Sequence, residues 1–113
     1  ILITPGGDNI SPIKIENELI NSEIIDQAIV YGDNKPYLIA LLVLNDEKKS
    51  STEEEIKQEI EKVNKKLSKI ENIKKFFTIN EKFSIENGML TPTLKLKRFK
   101  IVQKYKNSFE KLY

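Results

Sequence analysis

Residues 24–44, IIDQAIVYGDNKPYLIALLVL, contain two apolar, β-branched stretches separated by five turn-forming residues. Val, Ile and Tyr favour extended backbone, whereas Gly, Asp, Asn and Pro favour turns. We therefore predict an antiparallel hairpin with strands over residues 24–31 and 37–44. The second stretch is apolar without interruption from Leu38 to Leu44, which is typical of a strand buried on both faces. It is predicted to be the central strand.

Capping residues predict two helices, one on each side of the hairpin in the sequence. Ser11 and Pro12 supply an N-cap and a first helical residue for a helix that ends near Asn21. Thr52 and Glu55 have the spacing of a capping box and begin a second helix. Its apolar face is formed by residues at helical spacing: Ile56, Ile60, Val63, Leu67 and Ile70.

Two short strands and a third helix complete the predicted order of elements. Residues 1–3 and 76–80 are predicted strands, and helical spacing resumes over residues 94–105, with Phe109 and Leu112 on the same face. The predicted fold class is α+β. It is a small domain with a short, three-stranded, largely antiparallel sheet packed by about three helices.

The composition excludes several classes of function. The 113 residues include no His and no Cys, which excludes zinc fingers, thiol nucleophiles, Ser-His-Asp sets and disulfide scaffolds. The length suits a single domain. No apolar run reaches the roughly 18 residues that span a bilayer, and we expect a cytoplasmic location. Because the chain opens at Ile1 inside an apolar stretch, we interpret it as a domain of a longer protein.

The charge is unevenly distributed. The chain has 19 basic and 17 acidic side chains, but residues 94–113 carry seven basic groups and only one acid, Glu110. Such a basic segment either attracts phosphates of a cofactor or nucleic acid, or is a solvated helix face. The chain has only one arginine, Arg98, which argues against sequence-specific recognition of nucleic-acid bases, because bidentate contacts to guanine favour Arg.

Two loops are candidates for chemistry. Gly6 and Gly7 permit positive φ and close approach of another group, although a simple turn explains a Gly pair equally well. The pair is not a phosphate loop, since no Gly-Lys-Ser/Thr sequence follows it. Lys95 follows a Thr-Pro-Thr turn at the predicted start of the third helix, where a cation is electrostatically unfavourable. Lys95 is therefore either a solvated side chain or placed for an anion such as phosphate.

The same two loops carry a family resemblance. ILITPGGDNISPIKIENELI and ENGMLTPTLKLKRFKIVQKY resemble the eighth and tenth core motifs of adenylate-forming enzymes, in the branch of long-chain fatty acid-CoA ligases, the acyl-CoA synthetases. DQAIVYGDNKPYLIALLVL and VNKKLSKIENIKKFF, which lie between them, are similar to the same branch. The resemblance implies that residues 1–113 are a single C-terminal lid domain. The large N-terminal domain, which binds ATP and the acyl group in this family, is absent from the sequence.

The resemblance also implies a reaction and its partners. In this family a fatty acid and ATP form acyl-AMP and pyrophosphate, and coenzyme A then displaces AMP to give the thioester. ATP and CoA would be co-substrates, and Mg²⁺ would be bound mainly by the large domain. The partners implied are that domain and the three substrates, without nucleic acid, and peripheral membrane association of the full-length enzyme stays open. The isolated domain is expected to be inactive.

Three residues are assigned roles by the resemblance. Lys95 matches the lysine of the tenth motif, which reads Ser-Gly-Lys-Ile-x-Arg in relatives and Thr-Leu-Lys-Leu-Lys-Arg here. It would bring positive charge to the carboxylate and the α-phosphate during adenylation. Gly6 and Gly7 match the segment that lines the pantetheine tunnel of CoA. Pro5 stands where relatives often have Ser, so a hydroxyl and an N–H are missing there.

The remaining motif residues have less defined roles. Glu16 matches the acid of an Ile-Glu pair and is interpreted as structural, while Lys97 and Arg98 serve either docking or solvation. Two alternatives remain: a basic module that binds nucleic acid or an anionic surface, and an adenylate-forming enzyme with a different acceptor or acid, such as a medium-chain ligase. The chain-length pocket would lie in the large domain, so this sequence does not contain it.

Overall fold

The computed structural model describes all 113 residues. Three helices and five strands follow one another in this order: β1 Leu2–Ile3, β2 Asn9–Ile10, α1 Pro12–Ile20, β3 Ile25–Tyr31, β4 Leu38–Leu44, α2 Glu53–Asn64, β5 Ile73–Ile79 and α3 Arg98–Glu110. Short 3₁₀ turns cover Asp46–Lys48 and Lys69–Glu71. None of the helices is long and apolar enough to cross a membrane.

The sheet confirms the predicted α+β class and adds a detail of its topology. The strand order is β3-β4-β5, and β1 and β2 form a separate antiparallel pair. β3 and β4 are antiparallel, as the hairpin predicts, but β5 is parallel to β4. The parallel pairing follows from the connection through α2, since parallel neighbours need a crossover. β4 is central and all seven of its residues are buried, as predicted.

The sheet separates two hydrophobic layers. On one side, α1, α2 and Ile10 of β2 pack against Val30, Leu42 and their neighbours on the same sheet face. On the other side, α3 packs through Ile101 and Phe109 on the opposite face, together with the loop before it. The beginning and the end of the chain therefore lie mainly on opposite sides of the sheet.

The helix starts confirm the capping predictions. The Ser11 hydroxyl accepts a hydrogen bond from the backbone N–H of Lys14 at 3.4 Å, and Pro12 occupies the first turn of α1. The Glu55 N–H donates to the Thr52 hydroxyl at 3.1 Å, and the Thr52 N–H donates to the Glu55 carboxylate at 2.9 Å. Both donors would otherwise be unsatisfied at the start of α2.

Two helix boundaries differ from prediction. α2 ends at Asn64 and does not extend to Ile70, which is 47% exposed. The reason is that the Asn64 side chain bonds both backbone groups of Ile73, at 2.8 and 2.9 Å, and so fixes the chain reversal into β5. α3 begins at Arg98 and not at Leu94, because Leu94 has a φ of 65°, outside the right-handed helical region.

Candidate functional site

The Gly6–Gly7 turn connects β1 to β2 and is held together locally. The Thr4 N–H donates to the Asp8 carbonyl and the Gly7 N–H donates to the Thr4 carbonyl, both at 2.9 Å. The turn is tied to the larger sheet through β1, because the Asn34 N–H of the β3–β4 hairpin donates to the Ile3 carbonyl at 2.8 Å. It is thus a short, exposed protrusion from the hairpin end of the domain.

The two glycines differ in what they require. Gly7 has a φ of 90°, so any other residue would be strained there. At Gly6, an added Cβ would meet only ordinary contacts at 3.8 Å, from Asp8 and Thr4. Nothing within this chain therefore demands glycine at position 6. Its bare backbone is free for contact with a group from outside.

Lys95 lies in a β-like turn and not at a helix start. The Lys95 N–H donates to the Thr91 hydroxyl at 3.1 Å, and the Lys95 carbonyl accepts from the Thr91 N–H at 2.8 Å. The Lys97 N–H donates to the Met89 carbonyl at 2.8 Å, next to the bridge between Leu90 and Leu96. The prediction that Lys95 opens α3 is wrong, so the argument from the helix dipole does not apply to it.

The Lys95 side chain is exposed and forms no salt bridge. Leu94, which precedes it, has positive φ and is 67% exposed. The resembled motif has Gly at this position, and the left-handed backbone of Leu94 is the conformation that glycine adopts most easily. The departure from the motif therefore preserves the shape of the turn that presents Lys95.

Arg98 is a structural anchor behind this turn. Its guanidinium contacts both carboxylate oxygens of Glu16, at 2.5 and 2.6 Å. Glu16 is only 4% exposed, and it also accepts a hydrogen bond from the Val30 N–H at 2.8 Å. The pair links α1 and β3 to the start of α3. This arrangement agrees with the structural interpretation of Glu16 and gives Arg98 an ion pair within the domain.

An open groove of about 720 Å³ lies beside Lys95. Its walls come from α1, from the outer edge of β3 and from residues 90–98. Exposed apolar side chains of Ile13, Ile20 and Leu94 lie along it, with the Glu16–Arg98 pair. Lys95 therefore borders a partly apolar surface, which also includes Asp26 of β3.

The structure does not bring the two predicted loops together. The Gly6–Gly7 turn follows β1, whose Leu2 packs with the α1 and α2 layer. The Lys95 turn is flanked by Leu90 and Leu96, which pack with the α3 layer. The three main cavities of the domain are each lined by residues of one of the two loops or of neither. They form two separate sites, one beside the β3–β4 turn and one in the groove between α1 and residues 90–98.

A third feature escaped the sequence analysis. A cavity of about 280 Å³ beside the Gly6–Gly7 turn is lined by three lysines, Lys35, Lys69 and Lys74, and by no acidic residue. These lysines lie on separate elements, so no local pattern connects them. The only signal was the density of Lys after α2.

The basic C-terminal segment is partly neutralised within the fold. Besides the Arg98 pair, Lys104 contacts the Glu81 carboxylate at 2.8 Å, which raises the pKa of Lys104. The alternative of a nucleic-acid interface gains no support from this arrangement.

No group of three or more acidic side chains converges anywhere in the chain. Mg²⁺ favours several oxygen ligands, of which carboxylates are the usual protein contribution. The residues present therefore do not fit a magnesium site, and we derive no step through Mg²⁺ from this domain.

A mixed three-stranded sheet with helices on both faces, and with a Gly-Gly turn and a lysine turn at separate places on its surface, is the architecture expected of a small adenylate-forming C-terminal domain. Residues 1–113 match the family model described as the AMP-binding enzyme C-terminal domain, and the chain belongs to that family.

The similar proteins are adenylate-forming enzymes of greater length. The chain is 31% identical to the long-chain-fatty-acid–CoA ligase FadD15 of Mycobacterium tuberculosis, over 100% of this chain and 22% of that protein. It is 30% identical to the chloroplastic long-chain-fatty-acid–[acyl-carrier-protein] ligase AEE15 of Arabidopsis thaliana, over 99% of this chain and 16% of that protein.

A solved structure extends the likeness to the fold. The A domain of a carboxylic acid reductase from Segniliparus rugosus, in complex with AMP and a co-purified carboxylic acid, has a TM-score of 0.88. It is 27% identical, and the match covers 99% of this chain and 19% of that one. The chain thus spans about a fifth of the length of the proteins it resembles.

Proposed function

We propose that this chain is the C-terminal lid domain of a long-chain fatty acid-CoA ligase. The names of the relatives support a long-chain acid, and the AMP in the related structure supports an adenylate intermediate. ATP, the fatty acid and coenzyme A are the proposed substrates, and a large N-terminal domain of the same polypeptide is the proposed partner.

In the first half-reaction Lys95 is the proposed catalytic residue. A carboxylate oxygen of the fatty acid attacks the α-phosphorus of ATP, an O–P bond forms, and the bond to pyrophosphate breaks. Negative charge accumulates on the oxygens around phosphorus in this displacement. An exposed ammonium that no carboxylate of the domain neutralises is suited to offset that charge, and no proton needs to leave it.

In the second half-reaction Gly6 and Gly7 are the proposed contacts. The thiol of coenzyme A loses its proton and attacks the acyl carbon, a C–S bond forms, and the bond to AMP breaks. The thiol arm has to reach a reaction centre enclosed by protein. Nothing inside the domain requires glycine at position 6. The missing side chain leaves room for the thiol arm to pass along the backbone.

The observation that carries this proposal is the separation of the two turns: the Gly6–Gly7 turn lies beside the β3–β4 turn, and the Lys95 turn lies in a groove beside α1 and the outer edge of β3. A domain with one site for each half-reaction has to turn between the steps in order to present each site to the same reaction centre. Such a lid motion excludes water and completes the site for each step.

The test uses the full-length enzyme with palmitate, ATP and coenzyme A. We expect formation of palmitoyl-CoA together with AMP and pyrophosphate, and none of these products from residues 1–113 alone. If the enzyme formed product with octanoate but not with palmitate, the proposed substrate would be a medium-chain acid instead of a long-chain acid. Absence of acid-dependent pyrophosphate exchange with either acid would refute the adenylation function.

A further inference from the structure

The tip of the β3–β4 hairpin holds both backbone groups of Ile3. The Ile3 N–H donates to the Asp33 carboxylate at 2.9 Å, and the Ile3 carbonyl accepts from the Asn34 N–H at 2.8 Å. Ile3 is the last residue of β1, directly before the loop that contains Gly6 and Gly7. The hairpin therefore contacts the glycine turn at the point where the turn begins.

The place of the turn on the domain depends on these two bonds. No other hydrogen bond joins residues 1–8 to a residue beyond β2. The bonds inside the turn fix its shape, and β1 and β2 remain separate from the three-stranded sheet. Leu2 and Ile10 pack the base of this strand pair against the α1 and α2 layer. At the far end of β1, the support comes from the two bonds of Ile3.

The hairpin tip is itself fixed from behind. The Lys35 N–H donates to the Gly32 carbonyl at 3.1 Å, which closes the tip. The Lys35 ammonium lies 2.8 Å from the Glu110 carboxylate of α3 and 5.1 Å from the centre of the Tyr113 ring. A side chain on such a supported element can hold a neighbouring segment at one place. Asp33 is in that position.

We propose that Asp33 is a positioning residue for thioester formation, because its bond to the Ile3 N–H keeps the Gly6–Gly7 turn where the turn contacts the thiol arm of coenzyme A. The inference rests on the proposed function. The bond raises the fraction of time that the turn lies against the hairpin and is not swung away from it. Less of the binding energy of coenzyme A is then used to order the turn. Asp33 acts through Ile3 and does not have to touch the substrate.

The first test measures the two half-reactions of the full-length enzyme separately. Asp33→Ala should lower kcat/KM for coenzyme A in thioester formation from supplied acyl-AMP about fivefold. This loss corresponds to about 1 kcal/mol, the usual net contribution of one hydrogen bond. Acid-dependent pyrophosphate exchange should stay at the wild-type rate, because the Lys95 turn has no hydrogen bond to the hairpin tip. A domain that is merely less stable would lose both activities.

Two matched variants isolate the hydrogen bond. Asp33→Asn keeps a side-chain oxygen that can accept from the Ile3 N–H, so it should retain the wild-type kcat/KM although the negative charge is gone. Asp46→Ala removes an exposed carboxylate from the turn after β4 and should leave both half-reactions unchanged. Three results would overturn the proposal: a wild-type rate in Asp33→Ala, an equal loss in both half-reactions, or a loss in Asp33→Asn as large as in Asp33→Ala.

Hydrogen exchange on the same full-length enzyme measures the contact itself. Asp33→Ala should speed amide exchange about fivefold in the peptide that covers residues 1–9, and it should leave exchange over residues 88–97 unchanged. Unchanged exchange over residues 1–9 would refute the positioning role. A wild-type enzyme without pyrophosphate exchange would refute the proposed function instead, whereas an active wild-type enzyme with an equally active Asp33→Ala variant would refute only this inference.

Discussion

The Gly6–Gly7 turn and the Lys95 turn are both exposed, but they are built differently. The glycine turn has only two-residue strands on either side and is tied to the main sheet through Ile3. The lysine turn is fixed by backbone bonds on both flanks and by the buried Glu16–Arg98 pair behind it. One offers bare backbone, and the other positions a single charge.

This difference reflects what each kind of contact needs. A site that contacts its ligand through bare backbone only has to leave room for that ligand. Small displacements of the turn change this room little. A charge that stabilises a transition state has to be held near one position, because the electrostatic energy falls with distance. The deeper anchoring of the Lys95 turn agrees with that requirement.

Among the changes predicted here, removal of the Lys95 charge should have the largest effect on the reaction rate. In the full-length enzyme, Lys95→Ala should slow acid-dependent pyrophosphate exchange about a hundredfold or more, as loss of one transition-state contact typically does. Thioester formation from supplied acyl-AMP should be retained. Lys97→Ala is the matched control, since Lys97 is also exposed and unpaired two residues on. Equal behaviour of the two variants would contradict the role of Lys95.

Loss of the Glu16–Arg98 ion pair should have the second-largest effect. Arg98→Met leaves the buried Glu16 charge without its partner, and we expect a loss of about 2–3 kcal/mol in the free energy of unfolding, measured by urea denaturation. Glu16→Gln keeps an oxygen for the Val30 N–H and should cost less. If Arg98→Met changed the unfolding free energy by less than Glu16→Gln, the pair would not be the anchor described above.

Substitution of Gly7 should change the stability of the chain, and substitution of Gly6 should change the proposed function. Gly7→Ala should destabilise the chain by about 1 kcal/mol because of its positive φ. Gly6→Ala should leave the unfolding midpoint unchanged, yet slow thioester formation in the full-length enzyme about tenfold, a loss of about 1.4 kcal/mol. Chemical denaturation and the half-reaction assay measure the two effects. A fully active Gly6→Ala enzyme would remove glycine 6 from the proposed site.

The smallest effect concerns the hairpin that supports the glycine turn. Burial, a hydrogen bond to Glu110 and the charge of that carboxylate raise the pKa of Tyr31 to about 12, from 10.0. The folded state thus holds this proton more tightly than the unfolded state, so its stabilisation is present below pH 10 and is lost as the pH rises to about 12. Tyr31→Phe should flatten the fall of unfolding free energy over that range. Identical slopes would contradict the raised pKa.

Local patterns in the sequence predicted most of the fold. The β3–β4 hairpin, the capping box of Thr52 and the buried central strand each follow from neighbouring residues, and the structure confirms them. The start of α3 was predicted wrongly, because apolar spacing continues through Leu94 while its φ is positive. The spacing of apolar residues indicates which side chains can share a helix face, but it does not indicate whether a residue has a positive or a negative φ.

Contacts over long sequence distances could not be predicted. Glu16 and Arg98 are 82 positions apart, and only the packing of α1 beside the start of α3 joins them. Likewise, Lys69 and Lys74 line a cavity with Thr4 because β5 lies parallel to β4. The roles proposed for Gly6, Gly7 and Lys95 came from the resemblance to a family and not from local patterns.

The outer side of β5 has no strand beside it. Such an open edge can pair with the same edge of another copy and begin an aggregate. Lys74 and Lys75 are exposed on this strand and oppose that pairing through like-charge repulsion between copies. Charge on β5 therefore disfavours pairing of this edge between two copies of the domain wherever the edge is uncovered.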